Sequence, residues 1–203
     1  MKACTKLFYA LATLIVILCL PNQLLAQRTL DDALNDPRVQ AGLAEIDSNR
    51  DWSARQLVDI GGIISPSGQE HERAAAVAAL MREIGLQQVE VTDSPNAIGR
   101  IPGRSGQAIV FVATLDDLST VAEHQRAAEN GPQIQGDRVV GPGSNTSLTT
   151  IALLSAARAL VNQNLQPEHD IVFAAVAQEE TGLRGMRALY EQYRERAIGF
   201  VDV

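Results

Sequence analysis

Asp170–Ala177 reads DIVFAAVA, and Gln178-Glu179-Glu180-Thr181-Gly182 follows it. A continuous apolar run behind a single charge is the pattern of a strand buried on both faces. Two adjacent carboxylates straight after such a strand are costly, because each raises the other's pKa and desolvation adds to that. Neighbours in an extended segment point in opposite directions. One carboxylate can therefore hold a metal while the other faces a bound water as general base. A solvated acidic turn at a helix N-terminus, favoured by the helix dipole, is the plainer local reading.

A second run of this kind, AIVFVA at Ala108–Ala113, leads into Thr114-Leu115-Asp116-Asp117. The two runs are expected to be neighbouring central strands. Shorter strands are expected at Gln88–Val91 and Asn96–Ile101, with a last one from Ile198 to Val203. Helical spacing of apolar residues places helices from Asp36-Pro37 through Ile46, over Trp52–Ile60, from Gln69 to Ile84, over Thr146–Val161 and over Leu183–Arg196. Leu115–Gly143 is expected to be a long loop. Buried strands alternating with amphipathic helices predict an α/β fold, a three-layer αβα sandwich around a mixed, mostly parallel sheet. In such sheets the chemistry lies beyond the carboxyl ends of the strands. The loops after Ala113 and Ala177, and the Gly141-Pro142-Gly143-Ser144-Asn145-Thr146-Ser147 turn, occupy that place.

Taken singly, these loops have modest readings. Asp116 can orient a ligand or a water, or cap a turn. The glycine turn can present helix N–H groups to an anion, or simply start a capped helix. It lacks the third glycine of a dinucleotide loop and the lysine of a nucleotide-triphosphate loop. Asn145-Thr146-Ser147 also matches a glycosylation sequon.

The N-terminus has its own pattern. Lys2 and Lys6 precede an almost unbroken apolar run from Leu7 to Leu20, and Leu24-Leu25-Ala26 ends in a small residue. This predicts a signal peptide over residues 1–26, cleaved after Ala26, and a secreted or periplasmic protein. An uncleaved anchor is the alternative, since Leu24 is bulky for its place; the run itself is short for a membrane span of ~20 residues. Cys4 and Cys19 lie within the leader, so the mature chain has no disulfide, thiol nucleophile or cysteine ligand. Loss of Lys2 and Lys6 leaves 15 Arg against 24 Asp and Glu, a net charge of −9. An acidic chain without a basic stripe argues against nucleic acid as a partner. Residues 27–56 then read as an N-terminal helical segment and 57–203 as the main domain.

The order and spacing of five segments resemble a known family. They are Pro66-Ser67-Gly68-Gln69-Glu70, Phe111–Asp116, the Gly141-Pro142-Gly143 turn, Glu179-Glu180-Thr181-Gly182-Leu183-Arg184-Gly185, and the strand ending at Asp202. The resemblance is to the di-zinc exopeptidases and amidohydrolases, which include peptidase T, the glutamate carboxypeptidases, acetylornithine deacetylase and succinyl-diaminopimelate desuccinylase. It implies a zinc-exopeptidase-like fold and hydrolysis of a terminal peptide or acyl-amino-acid amide bond by a water on two zinc ions. It assigns Glu179 as general base, Asp116 as the residue that steadies a histidine ligand, and Glu180 and Asp202 as metal ligands. It also shows departures. Thr114 stands where the family has that histidine, and Thr146 where it has the bridging aspartate. A last histidine and a dimerisation domain lie beyond the family's equivalent of Val203, so the domain is expected to be incomplete at its C-terminus. His71, His124 and His169 fall at no ligand position. The resemblance thus implies a peptide or acyl-amino-acid partner, with zinc binding and catalysis impaired. The alternatives are a non-catalytic relative that binds a peptide or carboxylate, or a fragment of a longer active metallopeptidase.

Overall fold

A computed structural model of the chain describes residues 30–203. The leader sequence therefore lies outside the described residues. No described helix is long and apolar enough to cross a membrane. The chain divides into two compact units, Met1–Leu43 and Ala44–Val203. The division falls inside the helix Pro37–Ser48. That helix starts as its sequence dictates. Pro37 occupies the first turn, and Asp36 accepts the Arg38 backbone N–H at 2.8 Å.

The larger unit is built on five strands: β1 (Gln87–Val91), β2 (Ala97–Ile101), β3 (Ala108–Thr114), β6 (Asp170–Val176) and β7 (Ala197–Asp202). Their spatial order is β1-β2-β6-β3-β7. β6, β3 and β7 are parallel, while β1 and β2 form an antiparallel wing. The two apolar runs are indeed neighbours, paired Val110 to Val172 and Phe111 to Phe173.

Alternation along the strands divides the core in two. Phe111 and Phe173 stack at 6.1 Å on one face. There they meet the helices Arg50–Gly61, His71–Ile84 and Leu148–Asn162 through residues such as Leu57, Val77 and Leu154. Val110, Val112, Val172 and Ala174 point to the other face, which the helix Arg184–Tyr193 covers with Leu189 and Tyr193. Each large aliphatic side chain removed from water stabilises the fold by roughly 1.5–3 kcal/mol. Helices on both faces of a mixed sheet give the three-layer sandwich expected from the sequence.

The stretch expected as one long loop contains a helix, Ser119–Ala127, and a hairpin of β4 (Gln133–Gln135) and β5 (Arg138–Val140). The helix buries only Ala122, so its sequence carries no apolar stripe to read. The hairpin strands are short and turn at Gly136-Asp137, where Gly136 has φ of 63°.

Candidate functional site

Because β3, β6 and β7 run parallel, their carboxyl ends open on the same side. Thr114 pairs with Val176, and Val112 with Asp202. Thr114 shares its face with Val112, as does Asp202, so both side chains lie on the face covered by the single helix. There a cavity of about 420 Å³ is lined by Thr114, Thr149, Glu179, Met186, Phe200 and Asp202, among others.

Asp116 ties the loops around this cavity together. Its buried carboxylate accepts the Thr114 hydroxyl at 3.0 Å and the Ser67 hydroxyl. It also accepts the backbone N–H groups of Glu179 at 2.8 Å and Glu180 at 3.1 Å. A buried carboxylate is tolerable only with such partners. Glu70, also buried, continues the pattern: one oxygen accepts Gly68 N–H at 2.7 Å and Gln178 N–H at 3.0 Å. Three successive amides, 178 to 180, are thus held by two carboxylates from separate loops.

The turn is held from its far side as well. Gln178, Gly182 and Leu183 all have positive φ. Buried Asn96 accepts Ala177 N–H at 3.0 Å and donates to the Gly185 carbonyl at 2.8 Å. A Cβ on Gly185 would lie 2.4 Å from both the Ala177 carbonyl oxygen and Asn96 Oδ1, so only glycine permits this approach.

Below the turn lies a group that the sequence did not reveal. Asp117 forms a two-pronged ion pair with Arg73, at 3.0 and 2.6 Å, with both side chains buried. Arg73 also donates to the Ile63 and Leu115 carbonyls. The Thr146 hydroxyl donates to Asp117 and lies 3.2 Å from the Gly143 carbonyl oxygen. Arg73 sits on a helix whose other inward residues are apolar, and only the three-dimensional return of the chain shows its partner. Adjacent acids at 116 and 117 were the one available signal.

The assigned residues therefore separate into two places. Thr114, Glu179 and Asp202 share the cavity, with Asp116 holding Thr114 and the Glu179 amide. Thr146 belongs instead to the Asp117 cluster, and Glu180 is solvent-exposed. Burial pushes the Glu179 carboxyl up, and the charges of Glu180, Asp116 and Asp202 add to that. His71 and His124 are exposed, and His169 is hydrogen-bonded to Ser105 at the opposite end of β6.

This donor set does not fit zinc. Zinc sites need three or four converging ligands, favouring imidazole nitrogen. Among the described residues no three His, Cys, Asp or Glu side chains are grouped to hold a metal. The two threonine hydroxyls at the replaced positions already donate their protons to Asp116 and Asp117.

Comparisons with known proteins agree with this architecture. Residues 96–201 match the sequence model of peptidase family M28. Human carnosine dipeptidase 1 is 16% identical, with a TM-score of 0.65 over 80% of this chain and 40% of that one. Aminopeptidase PepT from Bacillus cereus is 20% identical, with a TM-score of 0.61 over 76% of this chain and 43% of that one. The Bacillus subtilis protein YXEP, described as a dinuclear metal-binding peptidase of family M20, is 17% identical, with a TM-score of 0.55 over 77% and 43%. At these identities the likeness speaks for the fold. The chain spans about two fifths of the length of each of these structures.

Proposed function

Because the chain belongs to peptidase family M28, we propose that it is an exported metallopeptidase-like domain whose site binds a ligand but hydrolyses amide bonds poorly or not at all. The observation that carries this reading is the commitment of Thr114 to Asp116 and of Thr146 to Asp117. At both positions a neutral hydroxyl has taken over a structural bond, and neither supplies the imidazole or the negative charge that zinc requires.

What remains of the machinery is positional. The two-carboxylate clamp fixes the amides at 178 to 180 and so sets where Glu179 faces the cavity. Glu179 can accept a proton or a hydrogen bond there, and its raised pKa favours keeping a proton once one is gained. Without a polarised water it has nothing to deprotonate efficiently. Peptides and acyl-amino acids are the ligand class the family implies.

The deciding experiment is metal analysis of the purified chain, with turnover measured on dipeptides and acyl-amino acids. Substoichiometric zinc and no Glu179-dependent turnover are expected. Two tightly held zinc ions with Glu179-dependent hydrolysis would sink the reading. They would favour a metallopeptidase whose ligand set is completed by residues outside this span. Export is tested separately, by sequencing the N-terminus of the protein from fractionated cells. A start at Gln27 outside the cytoplasm is expected, and an intact Met1 in soluble cytoplasm would contradict it.

A further inference from the structure

We propose that Asn130 and Gly131 form a self-modification site, where the Gly131 backbone nitrogen displaces ammonia from the Asn130 side chain and the resulting isoaspartate loosens the glycine turn beside it. The pair lies between the helix Ser119–Ala127 and β4, outside both elements, and both residues are exposed. No other asparagine in the sequence is followed by glycine. Among the described residues, neither the Asn130 side chain nor the Gly131 N–H has a hydrogen-bond partner. Neither reacting group is therefore tied down. A Cβ on Gly131 would meet nothing within 4 Å, so the surroundings are open as well. The other described asparagines differ. Asn35, Asn49, Asn96 and Asn162 donate side-chain hydrogen bonds. Asn145 and Asn164 precede Thr146 and Leu165, whose side chains crowd the attacking nitrogen and stiffen the backbone that carries it.

The reaction needs only water and hydroxide. Hydroxide takes the Gly131 amide proton, and the nitrogen attacks Asn130 Cγ. An N–Cγ bond forms, the Cγ–Nδ2 bond breaks, and the leaving group takes a proton from water and departs as ammonia. Nucleophile and carbonyl belong to one dipeptide, which makes the step intramolecular. Water then opens the cyclic imide. Cleavage of the new N–Cγ bond gives aspartate. Cleavage of the original peptide bond gives isoaspartate, whose main chain runs through Cβ and Cγ and is longer by one carbon. Both products carry a new negative charge.

The longer chain has no room beside it. Pro132 is buried, and a Cβ on Gly141 would lie 2.7 Å from Pro132 Cα and 3.2 Å from the Gly131 carbonyl oxygen. The two backbones are thus in direct contact. Gly141 opens the turn that leads to Thr146, whose hydroxyl is bonded to Asp117. An added backbone carbon at residue 130 displaces Gly131 and Pro132 from that contact and frees the turn.

The test is incubation of the full folded chain in warm, mildly alkaline buffer, with peptide mapping by mass spectrometry and amide hydrogen exchange over residues 141–147. Conversion at Asn130 ahead of Asn145 and Asn164 is expected, with faster exchange in the isoaspartate form. Gly131→Ala, which fits without a clash, should slow conversion about tenfold, a barrier higher by about 1.4 kcal/mol. Asn130→Asp gains the charge without the extra carbon and should exchange like the parent. No conversion at Asn130, equal conversion at the three asparagines, or an undiminished rate in Gly131→Ala would overturn the proposal. So would an isoaspartate form, or an Asn130→Asp variant, whose exchange over 141–147 contradicts that order.

Discussion

Arg73 and Asp117, 44 positions apart in sequence, meet in a two-pronged ion pair from which solvent is excluded. The pair joins the helix His71–Ile84 to the loop after β3, and Thr146 adds a third element to it. Removing one partner leaves the other charged, buried and unmatched, which costs about 3–5 kcal/mol. Arg73→Met is therefore expected to lower the urea midpoint sharply. Thr146→Val removes one hydrogen bond and should cost only about 1 kcal/mol. Equal losses in the two variants would show that the ion pair is not what holds these segments.

Much of this fold was legible because its central strands are apolar on both faces. Val110 and Val172 lie directly opposite each other in β3 and β6, and both are fully buried. Either one changed to Asp would place an unpaired charge in that position, at a cost comparable to the whole stability of a domain. Val110→Asp and Val172→Asp are expected to be insoluble or unfolded by circular dichroism. Cooperative unfolding of either would contradict the assignment of β3 and β6 as the core.

The site was legible only in part, for a physical reason. Residues of an unbroken apolar run, such as Phe111 and Ala113, announce themselves by composition. Asp116, Glu70 and Asn96 act by accepting backbone N–H groups from distant segments, and no sequence spacing records which amide they meet. The glycine at 185 was visible as part of a motif, but its cause was not. That cause is the close approach of Ala177 and Asn96.

Gly185→Ala tests that cause. The added methyl would press on the Ala177 carbonyl and the Asn96 amide, and overpacking of this kind costs about 1–3 kcal/mol. Denaturant titration should show the loss. Gly182→Ala, which meets no atom within 4 Å, should cost less, its strain arising only from φ of 104°. The reverse order would remove the steric explanation.

Asp170 predicts part of the acid sensitivity. Burial pushes its carboxyl up, but hydrogen bonds from Gly103 N–H and Arg196, together with the Arg100 charge, outweigh burial and leave it lowered. A carboxyl lowered in the folded state stabilises the fold above its unfolded value of about 3.9, and that stability fades as pH falls through the folded value. Asp170→Asn should lower stability at pH 7 by about 1–3 kcal/mol and flatten the decline below pH of about 4. An unchanged acid limb would show that Asp170 is not a source of it.

Glu179 has the opposite sign. Its carboxyl is raised by burial first, then by Glu180, Asp116 and Asp202. An acid whose folded pKa exceeds its unfolded value, about 4.3, destabilises the fold when ionised. The penalty is present above the folded value and is relieved as pH falls through it. Glu179→Gln keeps the amide that Asp116 holds and removes the charge. The variant should therefore be more stable than the parent at pH 7, by less than about 1 kcal/mol because the group is partly solvated. The two should converge below pH of about 4, where both are neutral at this position. Thermal unfolding of both proteins across that range measures the difference directly. A variant less stable at pH 7 would mean that the Glu179 side chain makes a favourable contact in the fold that outweighs the repulsion around it.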